Sequence, residues 1–103
     1  MVRKRPPSLA ELQASLRRFF ESRAVRKAIV FGSYARGTQT RRSDLDIALI
    51  MDTDRRFLDR YEGILGLREA AGGVPVEALV YAPGEIEAIA DRLLREGVVI
   101  YER

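Results

Sequence analysis

Two short apolar runs, residues 27–31 and residues 45–51, face each other across a polar connection, and this spacing constrains the chain more than any other feature. The first, Lys27-Ala28-Ile29-Val30-Phe31, ends at Gly32-Ser33. The second, Leu45-Asp46-Ile47-Ala48-Leu49-Ile50-Met51, is entered through Ser43-Asp44. Both are rich in β-branched and large apolar side chains, so both read as buried strands. Side chains alternate along a strand. Asp44 and Asp46 therefore share one face, and Leu45, Ile47, Leu49 and Met51 are expected to line the opposite, core face. With ten residues between Ser33 and Asp44, a glycine-containing turn and a pair of carboxylates stand at the polar ends of two strands.

Each half of this arrangement has its own chemistry. Gly32 lets backbone N–H groups approach an anion without interference from a Cβ, and Ser33 adds a hydroxyl donor. A short helix starting at Ser33 would favour the same anion. Two carboxylates at i and i+2 on a rigid strand repel each other unless a cation lies between them, as a magnesium–triphosphate complex would supply. Gly32 to Thr38 superficially resembles a P-loop, but no Lys follows Gly37, which excludes a Walker-type site.

Composition narrows the chemistry further. The 103 residues contain no Cys and no His, which removes disulfides, thiolate nucleophiles, imidazole bases and Cys/His zinc sites. Any metal must take oxygen ligands, which points to a hard ion such as Mg²⁺ or Mn²⁺. Residues 1–52 carry eleven Lys/Arg against five Asp/Glu, and residues 53–103 carry seven against ten. The basic half suits phosphates or an acidic protein surface. No apolar run approaches the roughly 20 residues that span a bilayer, so no membrane partner is expected. Met1-Val2-Arg3-Lys4-Arg5 has no apolar signal core behind it, so the expected location is cytoplasmic.

The remaining elements follow from periodicity. Ser8-Leu9-Ala10-Glu11 reads as a capping box, and Leu9, Leu12, Leu16, Phe19 and Phe20 recur at helical spacing, which predicts an amphipathic helix to about Ser22. Asp52-Thr53-Asp54 supplies capping oxygens to a second helix. That helix has Phe57, Leu58, Tyr61, Leu65 and Leu67 on its apolar side, ends near Gly72-Gly73, and leaves room for close packing at Gly63 and Gly66. Residues 74–81 read as a third strand, with Pro75 at an edge or irregular position. Ile86, Ile89, Ala90, Leu93 and Leu94 form the stripe of a helix that stops at Gly97, and residues 98–101 form a last strand. The order α-β-β-α-β-α-β predicts an α/β (α+β) two-layer sandwich, a small mixed β-sheet backed by helices. Residues 1–7 are expected to be a basic tail and residues 8–103 one domain, with no room for a separate acceptor-binding module.

Gly32-Ser33-Tyr34-Ala35-Arg36-Gly37 through Ser43-Asp44-Leu45-Asp46 resembles the signature of the minimal nucleotidyltransferases of the DNA polymerase β-like superfamily, and in particular the antitoxin branch paired with HEPN-domain toxins. The resemblance covers nearly the whole chain. It implies that Gly32 and Ser33 hold nucleotide phosphates, with Arg36 as a further phosphate contact, and that Asp44 and Asp46 hold metal ions. It also implies a third carboxylate on a later strand between apolar residues. Glu77, in Val76-Glu77-Ala78-Leu79-Val80, has that setting, where the family often carries Asp. Arg41 and Arg42 are expected to be exposed in the connection, and Asp52 and Asp54 to serve as caps.

The expected reaction is nucleotidyl transfer, with two Mg²⁺ ions (or Mn²⁺) held by Asp44, Asp46 and Glu77 and a carboxylate such as Glu77 accepting the acceptor's proton. The resemblance implies ATP as donor, a tyrosine hydroxyl of a HEPN ribonuclease toxin as acceptor, and a hetero-oligomer with that partner. The alternative is a binding module that neutralises its partner by contact alone. A third reading, RNA binding through the basic half, lacks an aromatic-rich RNP-like strand, so nucleic acid is not an expected direct partner.

Overall fold

A computed structural model describes residues 5–53, 56–85 and 95–103. The chain begins with helix α1 (Leu9–Glu21), whose start is the expected reciprocal cap: Glu11 N donates to Ser8 Oγ and Ser8 N to Glu11 Oε1, each at 3.1 Å. Arg5 adds an ion pair to Glu11 at 2.8 Å. With the Ser8 hydrogen bonds, it holds the Glu11 carboxyl down to about 2. Leu12, Leu16, Phe19 and Phe20 are the buried stripe of α1.

Strand β1 (Val25–Phe31) follows, then a single helical turn, α2 (Ser33–Arg36), then β2 (Leu45–Met51). A 3₁₀ helix (Phe57–Ile64) and the short α3 (Leu67–Ala70) lead to β3 (Val76–Tyr81), and β4 (Val98–Glu102) closes the described chain. The four strands form one mixed sheet in the order β3-β2-β1-β4. β1 runs antiparallel to β2 and β4, whereas β3 is parallel to β2 and so requires the crossover that the 3₁₀ helix and α3 provide. The α1 stripe packs on one sheet face with Val25, Ala28 and Val30, with Leu45, Ile47, Leu49 and Met51, and with Val80 and Ile100. Among the described residues, no helix is long and apolar enough to cross a membrane.

Three local features extend or correct the expectations. First, β2 is the buried strand expected, and it is buried on both faces: Ala48 and Ile50 lie on the Asp46 face and are buried, as is Ile29 opposite Ala48. A central strand covered on both faces reads as a continuous apolar run. Only its first residues carry polar side chains, and that is where the acids sit.

Second, the second helix is two pieces. Gly66 adopts φ 92, a left-handed conformation that interrupts the helical path, and Leu65 before it is exposed rather than apolar-side core. A Cβ at Gly63 or Gly66 would make only ordinary contact, with Met51 Cε at 3.6 Å and Phe19 Cε2 at 3.8 Å, so backbone conformation at Gly66, not crowding, explains that glycine.

Third, Asp52 does not cap a helix. Its carboxylate bridges Arg26 (2.7 Å) and Arg103 (2.6 Å), tying the end of β2 to β1 and to the residue after β4. The expected cap at Asp54, the side chains of Phe57 and Leu58, and the helical stripe at Ile86, Ile89, Ala90, Leu93 and Leu94 lie outside the described residues.

The Asp52 bridge predicts a pH effect. The Arg26 hydrogen bond, aided by Arg103, holds the Asp52 carboxyl below its ordinary value. A carboxyl depressed in the folded state contributes stability above its unfolded pKa and loses it as pH falls through the folded pKa. Asp52→Asn should therefore flatten the decline of melting temperature below about pH 4. Because the group is exposed and screened, a changed slope rather than acid collapse is expected in thermal melts across that range.

Candidate active site

Strand register brings the acids together. Asp46 is opposite Phe31 in antiparallel β1 and opposite Glu77 in parallel β3, so one rung of the sheet carries Phe31, Asp46 and Glu77 on the same face. The parallel ladder continues back from β2, where Leu45 N donates to Pro75 O at 2.8 Å, which fixes the start of β3 beside the start of β2. Pro75 thus serves as an acceptor before the strand proper, where its missing N–H costs nothing.

Gly32 is the other fixed point. Its φ of 72 and ψ of −151 belong to a region essentially restricted to glycine. A Cβ built there would run onto Asp46 Oδ2 and lie 3.3 Å from Asp46 Cγ. The turn is therefore seated directly on the carboxylate, and glycine is required for both conformation and space. Ser33, half-buried, opens α2; Arg36, exposed, ends it; Gly37 closes it in the left-handed conformation, with Thr38 N bonded to Ser33 O at 3.0 Å.

Asp44 is placed by a tight turn built from Thr40 and Ser43. Ser43 Oγ accepts from Thr40 N at 2.8 Å, and Ser43 N donates to Thr40 O at 3.1 Å, so the chain is folded tightly just before the first acid. Arg41 and Arg42 are exposed on this turn, as expected.

Electrostatics follow the register. The Glu77 carboxyl is pushed above its ordinary value, chiefly by a hydrogen bond to Asp46, then by the negative charges of Asp46 and Asp44, with burial a smaller contribution. Two carboxyls side by side across the ladder offer two oxygen donors to one cation. Asp44 acts on this pair through its charge, and among the described residues no three acids are already gathered around one point as in a preformed metal cluster. The donor set is entirely hard oxygen and fits Mg²⁺ or Mn²⁺.

Asp46 and Glu77 also border a cavity of about 830 Å³, walled by Phe31, Ile64, Leu65, Val76 and Leu79. Such a volume is of the size that takes a small organic ligand. Sequence reasoning missed Phe31 as a neighbour of Asp46 and missed the contribution of Tyr61, which lines the same cavity. Tyr61 gave only an apolar-stripe signal.

A mixed four-stranded sheet with a Gly-Ser turn lying against an acidic strand defines a nucleotidyltransferase-type domain. The chain belongs to the polymerase β nucleotidyltransferase family, whose model ("Polymerase beta, Nucleotidyltransferase") matches residues 14–103. Compared with curated proteins, the sequence has no significant match. Among solved structures, a toxin–antitoxin complex with AMP-PNP is similar at TM-score 0.65 and 20% identity, covering 88% of this chain and 73% of that chain. The MntA-HepT toxin–antitoxin is similar at TM-score 0.56 and 14% identity, covering 88% and 70%. A tri-AMPylated Shewanella oneidensis HEPN toxin in complex with MNT antitoxin gives TM-score 0.53 and 15% identity, covering 89% and 73%. At these identities the likeness is one of fold.

Proposed function

We propose that this chain is a Mg²⁺-dependent nucleotidyltransferase that moves AMP from ATP to a hydroxyl of a partner protein, a tyrosine of a HEPN-family toxin, and so acts as its antitoxin in a hetero-oligomer. The observation that carries this reading is the seating of Gly32 on Asp46 with Glu77 in register on the other side. A phosphate held at the turn is then beside the acids. The partner and the transferred group are supported by the fold-level likeness to an MNT antitoxin in complex with a tri-AMPylated HEPN toxin.

The residues divide the task. The Gly32 backbone and the Ser33 hydroxyl bind the terminal phosphates of the donor, and Arg36 adds positive charge at the end of the same turn. Asp44, Asp46 and Glu77 would hold the metal ions, which when bound supply charge neutralisation at the phosphates. The acceptor oxygen forms a bond to the α-phosphorus as the bond from that phosphorus to the bridging oxygen breaks. Pyrophosphate leaves, and the hydroxyl proton passes to a Glu77 carboxylate oxygen. Positioning and electrostatics carry most of such a transfer, which suits a chain without His.

Incubation of the protein, Mg²⁺ and a HEPN-domain partner with ATP labelled at either the α- or the γ-phosphate tests this reading. Label is expected on the partner from the α-position only; label from the γ-position would mean phosphoryl transfer and would refute it. Neutralisation by contact alone is favoured by one observation, that the three acids are not already gathered around one point. Under that reading, the Asp44→Asn/Asp46→Asn double variant would inhibit the partner as well as the unaltered protein does.

A further inference from the structure

We infer that Tyr61 is a positioning residue for the acidic site, holding Glu77 against Asp46 by fixing the free edge of β3; this rests on the reading of Asp44, Asp46 and Glu77 as a metal site. Among the described residues β3 is an edge strand, paired only with β2. Its open side is met by the 3₁₀ helix: Tyr61 Oη donates to the carbonyl of Ala78 at 3.0 Å, and Arg60 Nη1 donates to the carbonyl of Val80 at 3.4 Å. Arg60 is buried and is braced in turn by Glu85, whose Oε2 accepts from Nη2 at 3.2 Å and whose Oε1 accepts from Ala82 N at 2.6 Å. Two successive outward carbonyls of the edge strand are thus engaged by side chains of one short helix.

The need for such a clamp comes from the site itself. Glu77 lies directly across the ladder from Asp46, and its neighbour in the chain is Ala78, the residue Tyr61 holds. Like charges on adjacent strands repel, and an edge strand resists that repulsion with only one ladder of backbone bonds. Fixing the peptide that follows Glu77 keeps its carboxyl at Asp46 before any cation arrives, so less ordering remains to be done on binding. Because the Tyr61 hydroxyl is committed to a backbone carbonyl, its part is to position a ligand group, while its ring forms the cavity wall beside the acids.

The test is Mn²⁺ binding, followed by electron paramagnetic resonance, for the unaltered protein, Tyr61→Phe, Glu77→Gln and the double variant. Loss of one hydrogen bond should weaken Mn²⁺ binding by roughly three- to tenfold in Tyr61→Phe. The loss should disappear in the Glu77→Gln background, where Asp44 and Asp46 still bind the ion but the positioned carboxylate is gone. Unchanged affinity in Tyr61→Phe overturns the inference, as does an equal loss in both backgrounds, which would mark general loosening of the fold. No Mn²⁺ binding by the unaltered protein overturns the metal-site reading and this inference with it.

Discussion

Asp46→Asn should abolish nucleotidyl transfer, lowering the rate by roughly a thousandfold or more, while leaving the metal-free fold at least as stable. The opposite signs follow from the same geometry. Asp46 lies opposite Glu77 across the β2–β3 ladder, and a hydrogen bond to Asp46, then the negative charges of Asp46 and Asp44, disfavour ionisation of Glu77. Replacing Asp46 by its neutral isostere removes that repulsion without opening a cavity, since the two side chains have nearly the same shape. It also removes a charged oxygen donor from the site. A structural acid would behave differently: its loss would lower the melting temperature and leave a rate defect no larger than the folded fraction explains. Melting temperature and transfer rate, measured on the same preparation, separate the two cases. A transfer rate within tenfold of the unaltered protein would remove Asp46 from the mechanism.

Gly32→Ala should be damaging on both counts. The backbone conformation at Gly32 costs a residue with a Cβ about 1–3 kcal/mol. The new methyl would also strike the Asp46 carboxylate, so the side chain or the turn must move. Transfer should fall by at least about a hundredfold, because displacing a site group by about 1 Å is enough for such a loss. Gly37→Ala is the informative comparison. Gly37 has φ 73, so it carries a similar left-handed penalty, but a Cβ there meets nothing within 4 Å. It should lower stability by about 1–2 kcal/mol and leave transfer largely intact under conditions where the protein is folded. Equal losses of activity in both variants would mean that strain in the turn, not its seat on Asp46, accounts for the effect.

Features set by neighbouring residues in the chain were the ones legible beforehand. Ser8 and Glu11 announce a helix start because both partners of the cap lie within one turn, and β2 was bounded correctly because its apolar run begins at a polar turn and ends at Asp52. Gly32-Ser33 and Asp44-x-Asp46 were legible as a turn and an acid pair from residue type and spacing, and the structure lays that turn against Asp46. Glu77 needed more, since a lone acid on an edge strand is an ordinary exposed residue until register places it beside Asp46.

What escaped was decided by distant partners. Asp52 looks like a cap from its position before a helix, yet Arg26 and Arg103 claim it from two other strands' ends. Leu65 fits a helical stripe, but Gly66 turns the chain and leaves Leu65 exposed. Tyr61 reads as one more apolar residue, and its hydroxyl acquires a role only because the sheet order puts β3 at an edge beside it. Covering both faces of β2 likewise concealed why the acids come only at its start.

The most direct measurement is intact mass. The HEPN-domain partner is incubated with Mg²⁺ and each nucleoside triphosphate in turn, with the unaltered protein or with the Asp44→Asn/Asp46→Asn variant. The partner is predicted to gain one or more nucleoside monophosphate masses with the unaltered protein and ATP, and none with the variant. A partner that is inhibited yet gains no mass with any nucleotide would contradict nucleotidyl transfer and leave contact as the means of neutralisation.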